Sequence, residues 1–154
     1  MRASTGVTYT VGLKYTKSGA NLQGKITLSI PQALKLDETG GGFAIIKSTA
    51  ISSMLVSTFT GGKKSTIYAK ASVSLIDSLG NVTSGEGNVT LRMDVVDYNQ
   101  PPLPAPPIPN EVGFTVLSTK DSTMYYSNDW VLDTTTNTWK TKTQQISTGT
   151  VRIN

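Results

Sequence analysis

Oxygen-bearing side chains gather on both sides of one proline-rich segment. Asp94, Asp97 and Asn99 close an alternating apolar stretch, and Glu111 opens the next ordered stretch beside Asn110. Calcium takes roughly six to eight oxygen ligands, several of them carboxylate or carbonyl oxygens. Because strand ends joined by a loop can meet, the three strand-end residues and Glu111 predict a calcium site. The alternative interpretation is that all of them are solvated strand-end and turn residues.

Large aromatic side chains concentrate in one predicted hairpin, and they are Tyr125, Tyr126, Trp130 and Trp139. A loop of four residues would place Trp130 opposite Trp139. The two tyrosines are adjacent, so in a strand they point to opposite faces, and one of them points outward. An exposed aromatic group of this kind can stack on a sugar ring, whereas a buried one is a cross-strand pair of the core. Both interpretations follow from the sequence.

Enzymatic chemistry has few candidate groups in this chain. Cysteine and histidine are both absent, which removes thiol nucleophiles, histidine general bases, disulfides and Cys/His zinc sites. Two of the carboxylates could form the acid and base pair of a glycosidase, but the chain has only 10 acidic residues and no cluster of catalytic type. The sequence therefore predicts a non-catalytic protein with no cofactor, calcium excepted.

The elements that position the candidate residues are predicted to be β-strands, because apolar residues recur at every second position along most of the chain. Residues 7–15 and 22–30 alternate in this way and predict a first hairpin, and residues 67–76 and 89–95 predict a second antiparallel pair. Residues 43–59 predict one or two strands. The remaining predicted strands are residues 113–117, 124–132, 138–146 and 149–153.

Residues 101–109 contain six of the seven prolines, and proline rings hold a chain near polyproline II and remove hydrogen-bond donors. Such a segment is typical of an interdomain linker or of a ligand for a proline-recognition domain. Residues 112–154, however, are too few to bury a core of their own. The chain is therefore predicted to be one domain, residues 1–154, with 101–109 as a surface loop within it. The predicted fold is an all-β antiparallel sandwich, Ig-like or jelly-roll-like, of about seven to nine strands.

The charge of the chain and the length of its apolar runs argue against a nucleic-acid partner and against membrane insertion. The formal net charge is +4, the lysines are dispersed, and the only arginines are Arg2, Arg92 and Arg152. A nucleic-acid reader more often has arginine clusters with interleaved aromatic residues, so no nucleic-acid partner is expected. No apolar run reaches the length of a membrane span, so no membrane insertion is expected.

Five stretches carry a resemblance to a known class of module: VTYTVGLKYTKSGANLQGKITLSI, GKKSTIYAKASVSLID, MDVVDYNQ followed by EVGFTVLST, MYYSNDW, and the closing GTVRIN. In their order they resemble β-sandwich modules near the C-termini of large secreted bacterial cell-surface proteins of the adhesin-like, Ig- or anchor-associated kind. The resemblance implies a structural, spacer or adhesion module at the cell surface or outside the cell. Its partners would be neighbouring domains or other copies of itself. The alternatives are a carbohydrate-binding module and an oligomer-forming coat or filament subunit.

Overall fold

The computed structural model describes residues 2–3, 6–15, 21–31, 42–149 and 151–153. Eleven β-strands and no helix are found in these residues. The strands are β1 (Arg2–Ala3), β2 (Thr8–Tyr15), β3 (Leu22–Pro31), β4 (Gly42–Phe59), β5 (Gly62–Asp77), β6 (Val82–Tyr98), β7 (Glu111–Leu117), β8 (Met124–Ser127), β9 (Trp130–Asp133), β10 (Thr138–Thr141) and β11 (Gln144–Thr148).

Nine of the strands form one antiparallel sheet in the order β11-β1-β2-β3-β4-β5-β6-β7-β8, and β9 and β10 form a separate hairpin. Strand β11, at one end of this order, also pairs with β7 near the other end. The large sheet therefore curls around on itself. The predicted all-β antiparallel class is confirmed. The sandwich is not confirmed, because the described strands follow one another around a single curled sheet.

The inner face of the curled sheet holds one hydrophobic core. Alternate residues point inward, as the period of two in the sequence predicts, and the large buried side chains include Leu28, Ile46 and Met93. The rings of Tyr9 in β2 and Phe114 in β7 meet edge to face with their centroids 5.2 Å apart. Because these two strands do not pair with each other, this contact shows that the curl brings opposite parts of the sheet together.

The predicted strands differ from the observed ones mainly after residue 123. Residues 43–59 form the single strand β4, which has bulges near Thr49 and Ser52. The predicted strand 124–132 is divided into β8 and β9, because the side-chain oxygen of Asn128 accepts the backbone N–H of Phe114 at 2.7 Å and ends the ladder. The predicted strand 138–146 is likewise divided into β10 and β11, and the described residues of 149–153 form no strand.

The proline-rich segment connects β6 to β7, which pair with each other. Nearly all of its side chains are exposed, and Leu103 is 93% exposed. The side-chain amide of Gln100 closes the base of the loop by donating to the carbonyl of Ile108 at 3.0 Å and accepting its N–H at 3.1 Å. The prolines between Gln100 and Ile108 therefore lie in the exposed loop beyond this closed base, and they contribute little packing.

We expect that replacing residues 102–107 with a short Gly-Ser link changes the free energy of unfolding by less than about 0.5 kcal/mol, because loop closure entropy varies slowly with length. Gln100 and Ile108 are kept in this variant. Phe114→Ala is the matched control, and it should cost about 3–5 kcal/mol because Phe114 is fully buried. Urea unfolding measures both. A loss as large as that of Phe114→Ala would show that the prolines belong to the core.

Candidate functional site

The outer face of strands β5 to β8 carries two neighbouring rows of cross-strand partners. The first row is Tyr68, Arg92, Thr115 and Ser127, and the second row is Thr66, Asp94 and Gly113. Directly opposed side chains on one face of an antiparallel sheet lie close enough to interact. The sheet register alone therefore brings an aromatic ring, a guanidinium, a carboxylate and three hydroxyls together on one surface.

The first residues of the β9–β10 hairpin close over this face. The indole N–H of Trp130 donates to the hydroxyl of Thr115 at 3.1 Å. The Arg92 guanidinium lies 5.2 Å from the centroid of the Trp130 ring and 5.9 Å from that of Tyr68. A cation at these distances from aromatic faces is attracted by the ring quadrupole. Arg92 therefore joins the two rings of the site.

Asp129 anchors the hairpin to the sheet through a space that only glycine leaves. Its side chain is 0% exposed. A Cβ atom placed on Gly113 would lie 2.1 Å from Oδ1 of Asp129 and 2.5 Å from its Cγ. Because real Cβ contacts are never so short, any side chain at position 113 would displace Asp129 and, with it, the neighbouring Trp130.

A compact charged group lies beside this anchor. Arg92 Nε donates to Oδ2 of Asp94 at 2.6 Å and Nη2 donates to Oδ1 at 3.2 Å, while the hydroxyl of Thr66 donates to Oδ1 at 2.6 Å. Burial raises the pKa of the Asp94 carboxyl, but the hydrogen bonds from Asp129, Arg92 and Thr66 outweigh burial and lower it. Asp94 is therefore the charged member of the group.

Asp129 behaves in the opposite way. Burial, then the hydrogen bond and the repulsion from Asp94, raise the pKa of Asp129 to about 8 against an attraction from Arg92 that lowers it. Neither of its oxygens accepts a hydrogen bond from a described donor. Two adjacent buried carboxyls cannot both ionise cheaply. At neutral pH, the Asp129 carboxyl therefore keeps its proton.

We call the concave surface above the first row the outer groove. Its volume is about 540 Å³, and its lining consists of Tyr68, Thr90, Arg92, Thr115, Leu117, Met124, Ser127 and Trp130. Trp130 is 38% exposed and Tyr68 is 40% exposed, so both rings present surface to a ligand. Apolar and aromatic walls with a few fixed polar groups are the usual lining of a small-molecule site.

The structure does not gather the four predicted calcium ligands into one place. Asp94 lies on the outer face, whereas Asp97 accepts from Asn110 at 3.0 Å and from the backbone N–H of Ile153 at 2.8 Å. Asn99 is exposed, and its backbone N–H donates to the carbonyl of Gly61. Glu111 accepts from the hydroxyls of Tyr98 and Thr143. In the described residues, no three acidic side chains form a group that could hold a metal ion. Calcium binding stays a prediction.

The predicted aromatic set is only partly at the outer groove. Trp130 lines it, whereas Tyr126 is buried in the core at 9% exposure. Tyr125 is half-buried and its hydroxyl donates to Glu86, a hydrogen bond that, with burial, raises the pKa of Tyr125 to about 12. This hydroxyl is therefore a fixed donor.

The predicted opposition of the two tryptophans is wrong. Trp130 pairs with Thr141, and Trp139 pairs with Leu132. The four-residue turn 134–137 makes Asp133 the partner of Thr138, and this sets the register of the whole hairpin. The side chain of Trp139 lies outside the described part of the structure.

Three residues of the site escaped the sequence analysis, namely Tyr68, Arg92 and Asp129. Tyr68 occupies an outward position of an alternating strand, and Arg92 stands two residues before Asp94, which is the same-face spacing of a strand. These signals were present in the sequence. No signal in the sequence predicts the burial of Asp129 against Gly113. This contact joins residues far apart in the chain and depends on the side chain that glycine lacks.

No protein-family model, curated protein or solved structure matches this chain. Among the described residues, no helix has the length and apolar character needed to cross a membrane.

We expect Gly113→Ala to destabilise the protein by about 1–3 kcal/mol, because the new methyl group overlaps the Asp129 carboxyl. Gly12→Ala is the matched control, since Gly12 also lies in a strand but a Cβ there meets nothing within 4 Å. Urea unfolding gives both values. Equal effects of the two substitutions would contradict the proposed fit of Asp129 against Gly113.

We expect the stability to fall as the pH rises from about 4 to about 8, because the folded-state pKa of Asp129 lies above its ordinary value of 3.8. The contribution of this group is complete below the ordinary value and is lost as the pH passes the folded value. Asp94 has the opposite sign, and its contribution is lost only in more acidic solution.

Asp129→Asn isolates this effect, because the amide has nearly the size and shape of the protonated carboxyl but does not titrate. The free energy of unfolding should therefore depend less on pH in the variant than in the wild type between about pH 5 and pH 9. Chemical unfolding at both pH values measures the difference. Parallel pH profiles for the two proteins would contradict the raised pKa of Asp129.

Proposed function

We propose that this chain is a non-catalytic recognition and adhesion module of a secreted or cell-surface bacterial protein, and that the outer groove binds a sugar ring. The observation that carries the proposal is the pair of half-exposed rings, Trp130 and Tyr68, held on either side of the Arg92 guanidinium. Aromatic faces stack on the C–H face of a sugar, and fixed donors bind its hydroxyls.

The polar groups of the outer groove suit a neutral ligand rich in hydroxyls. Thr90 and Ser127 contribute hydroxyls to the lining, and Thr115 already fixes the indole of Trp130. The charge of Arg92 is compensated by its hydrogen bonds to Asp94. A ligand therefore meets a guanidinium that is oriented and largely neutralised, which favours hydrogen bonding to hydroxyls over the capture of an anion.

The carboxyls beside the groove support binding rather than hydrolysis. A glycosidase needs two carboxyls that reach the scissile bond from opposite sides. Asp129 has no exposed surface, and Asp94 is occupied by Arg92 and Thr66. Neither oxygen pair is free to protonate or attack a sugar in the groove.

The proposal includes a glycan and neighbouring domains of a longer protein as partners. The location at the cell surface rests on the resemblance of the five sequence stretches described above.

We expect Trp130→Ala to weaken glycan binding by about tenfold or more, which corresponds to about 1.4 kcal/mol of lost stacking. Its melting temperature should stay within a few degrees of the wild type, because the side chain is 38% exposed. The measurement is a glycan array followed by titration of the sugars that bind.

Phe43→Ala is the matched control, because Phe43 is an aromatic residue that is 50% exposed and is not part of the outer groove. This variant should bind like the wild type. A wild-type protein that binds no glycan, or a Trp130→Ala variant that binds as well as the wild type, would contradict the proposal.

A further inference from the structure

Within the described residues, the curled sheet is open at one end, where the β2–β3 hairpin separates from β4. A cavity of about 810 Å³ lies there, against the inner faces of β5 and β6. Its apolar lining includes Val11, Leu13, Met54, Val56, Ile67 and Val95. We call it the open end. It lies on the opposite face of the sheet from the outer groove, because Val56 and Ile67 alternate with the outward-pointing Leu55 and Tyr68.

Two strand edges border the open end and have no partner strand among the residues that the structure describes. Strand β3 pairs with β4 only as far as Thr27 and Lys47, and the backbone N–H of Ile26 then donates to the hydroxyl of Ser48 at 2.8 Å. Beyond this fork β4 runs on to Phe59, paired only with β5. In the described part of the chain, no strand pairs with the second edge of β4 after Lys47. Such an edge is a template for another strand.

A buried hydroxyl also points to a missing occupant. Ser65 lines the open end, is 4% exposed, and its Oγ has no hydrogen-bond partner among the described residues. Leaving a buried hydroxyl unpaired destabilises the protein, because its contact with water is lost and not replaced. An occupant that supplies one polar group at this depth would remove that cost.

The charge around the open end is positive. Lys14 and Arg152 line it, and no described carboxylate does. The chain itself carries a net charge of +4, so a second copy would meet like charge. A segment that carries acidic residues would meet opposite charge there.

We propose that the open end accepts an extended segment of a different polypeptide, which adds as a strand to the free edge of β4. Alternate apolar side chains of the segment enter the cavity, and acidic residues at its ends face Lys14 and Arg152. An unpaired strand edge offers backbone donors and acceptors in alternation, and another extended backbone matches that pattern. This interaction is independent of the outer groove and of the ligand proposed for it.

The test uses a synthetic peptide of about ten residues, long enough to follow the free edge of β4. It alternates valine and threonine between two aspartates at each end, and a second peptide has lysines in place of the aspartates. Fluorescence anisotropy of labelled peptides measures binding to the full chain. We expect the acidic peptide to bind with about tenfold higher affinity than the basic one. The absence of binding by the acidic peptide, or equal binding of both peptides, overturns the proposal.

Two neighbouring substitutions locate the site. Val56→Glu places a carboxylate at the open end and should abolish binding of the acidic peptide, whereas Leu55→Glu, on the opposite face and 71% exposed, should leave it unchanged. Val56 is itself 40% exposed, so both variants should fold, and their melting curves verify this. Equal loss in the two variants contradicts the assignment.

Two further measurements separate this site from the alternatives. Trp130→Ala should bind the peptide like the wild type, because Trp130 belongs to the outer groove. Sedimentation of the peptide-free protein should show a monomer. A dimer that Val56→Glu dissociates would identify a second copy as the occupant and would overturn the assignment to a different polypeptide.

Discussion

The register between β5 and β6 is the constraint on which both faces of the molecule depend. Ile67 opposite Met93 lies on the inner face, and Tyr68 opposite Arg92 lies on the outer face. Because side chains alternate with a period of two, a slip of one residue would exchange the two faces and expose the core. The ladder is long, from Gly62 opposite Tyr98 to Ile76 opposite Val82, so burial of the apolar side fixes this register many times over. The aromatic and charged row of the outer groove is positioned by the same ladder.

A second, smaller device attaches the β9–β10 hairpin to that framework. Asp129 fills the space above Gly113 and keeps its proton beside Asp94, which Arg92 holds ionised. A buried carboxyl costs free energy even when it is neutral, so an apolar residue would hold the hairpin more cheaply. The following Trp130 is positioned by the fit of Asp129 against Gly113 and by the hydrogen bond from its own indole to Thr115.

The two proposed surfaces use opposite faces of the same strands. On β5 the outward Tyr68 lines the outer groove, whereas the inward residues Val56 of β4 and Ser65 of β5 line the open end. Under the two proposals, the protein holds a ligand on its outer face while a segment of another chain pairs with the free edge of β4. Because the two surfaces share the β5–β6 ladder and no side chain, each can be removed by substitution without altering the other.

The sequence by itself determined the all-β class, the first two hairpins, the inward sets of residues and the exposed proline-rich loop, because alternation and turn residues are local properties of the chain. It also singled out Trp130 and Asp94, but assigned them to different sites. The tertiary structure alone decided that they share one site with Tyr68 and Arg92, since these residues come together through strand register across four strands. It alone decided that Asp129 is buried, because that depends on the absent side chain of Gly113. Local sequence patterns do not predict the curl of the sheet or its open end either, because both depend on contacts between residues far apart in sequence. These contacts are the pairing of β11 with both β1 and β7 and the bulged pairing of β4 with β5.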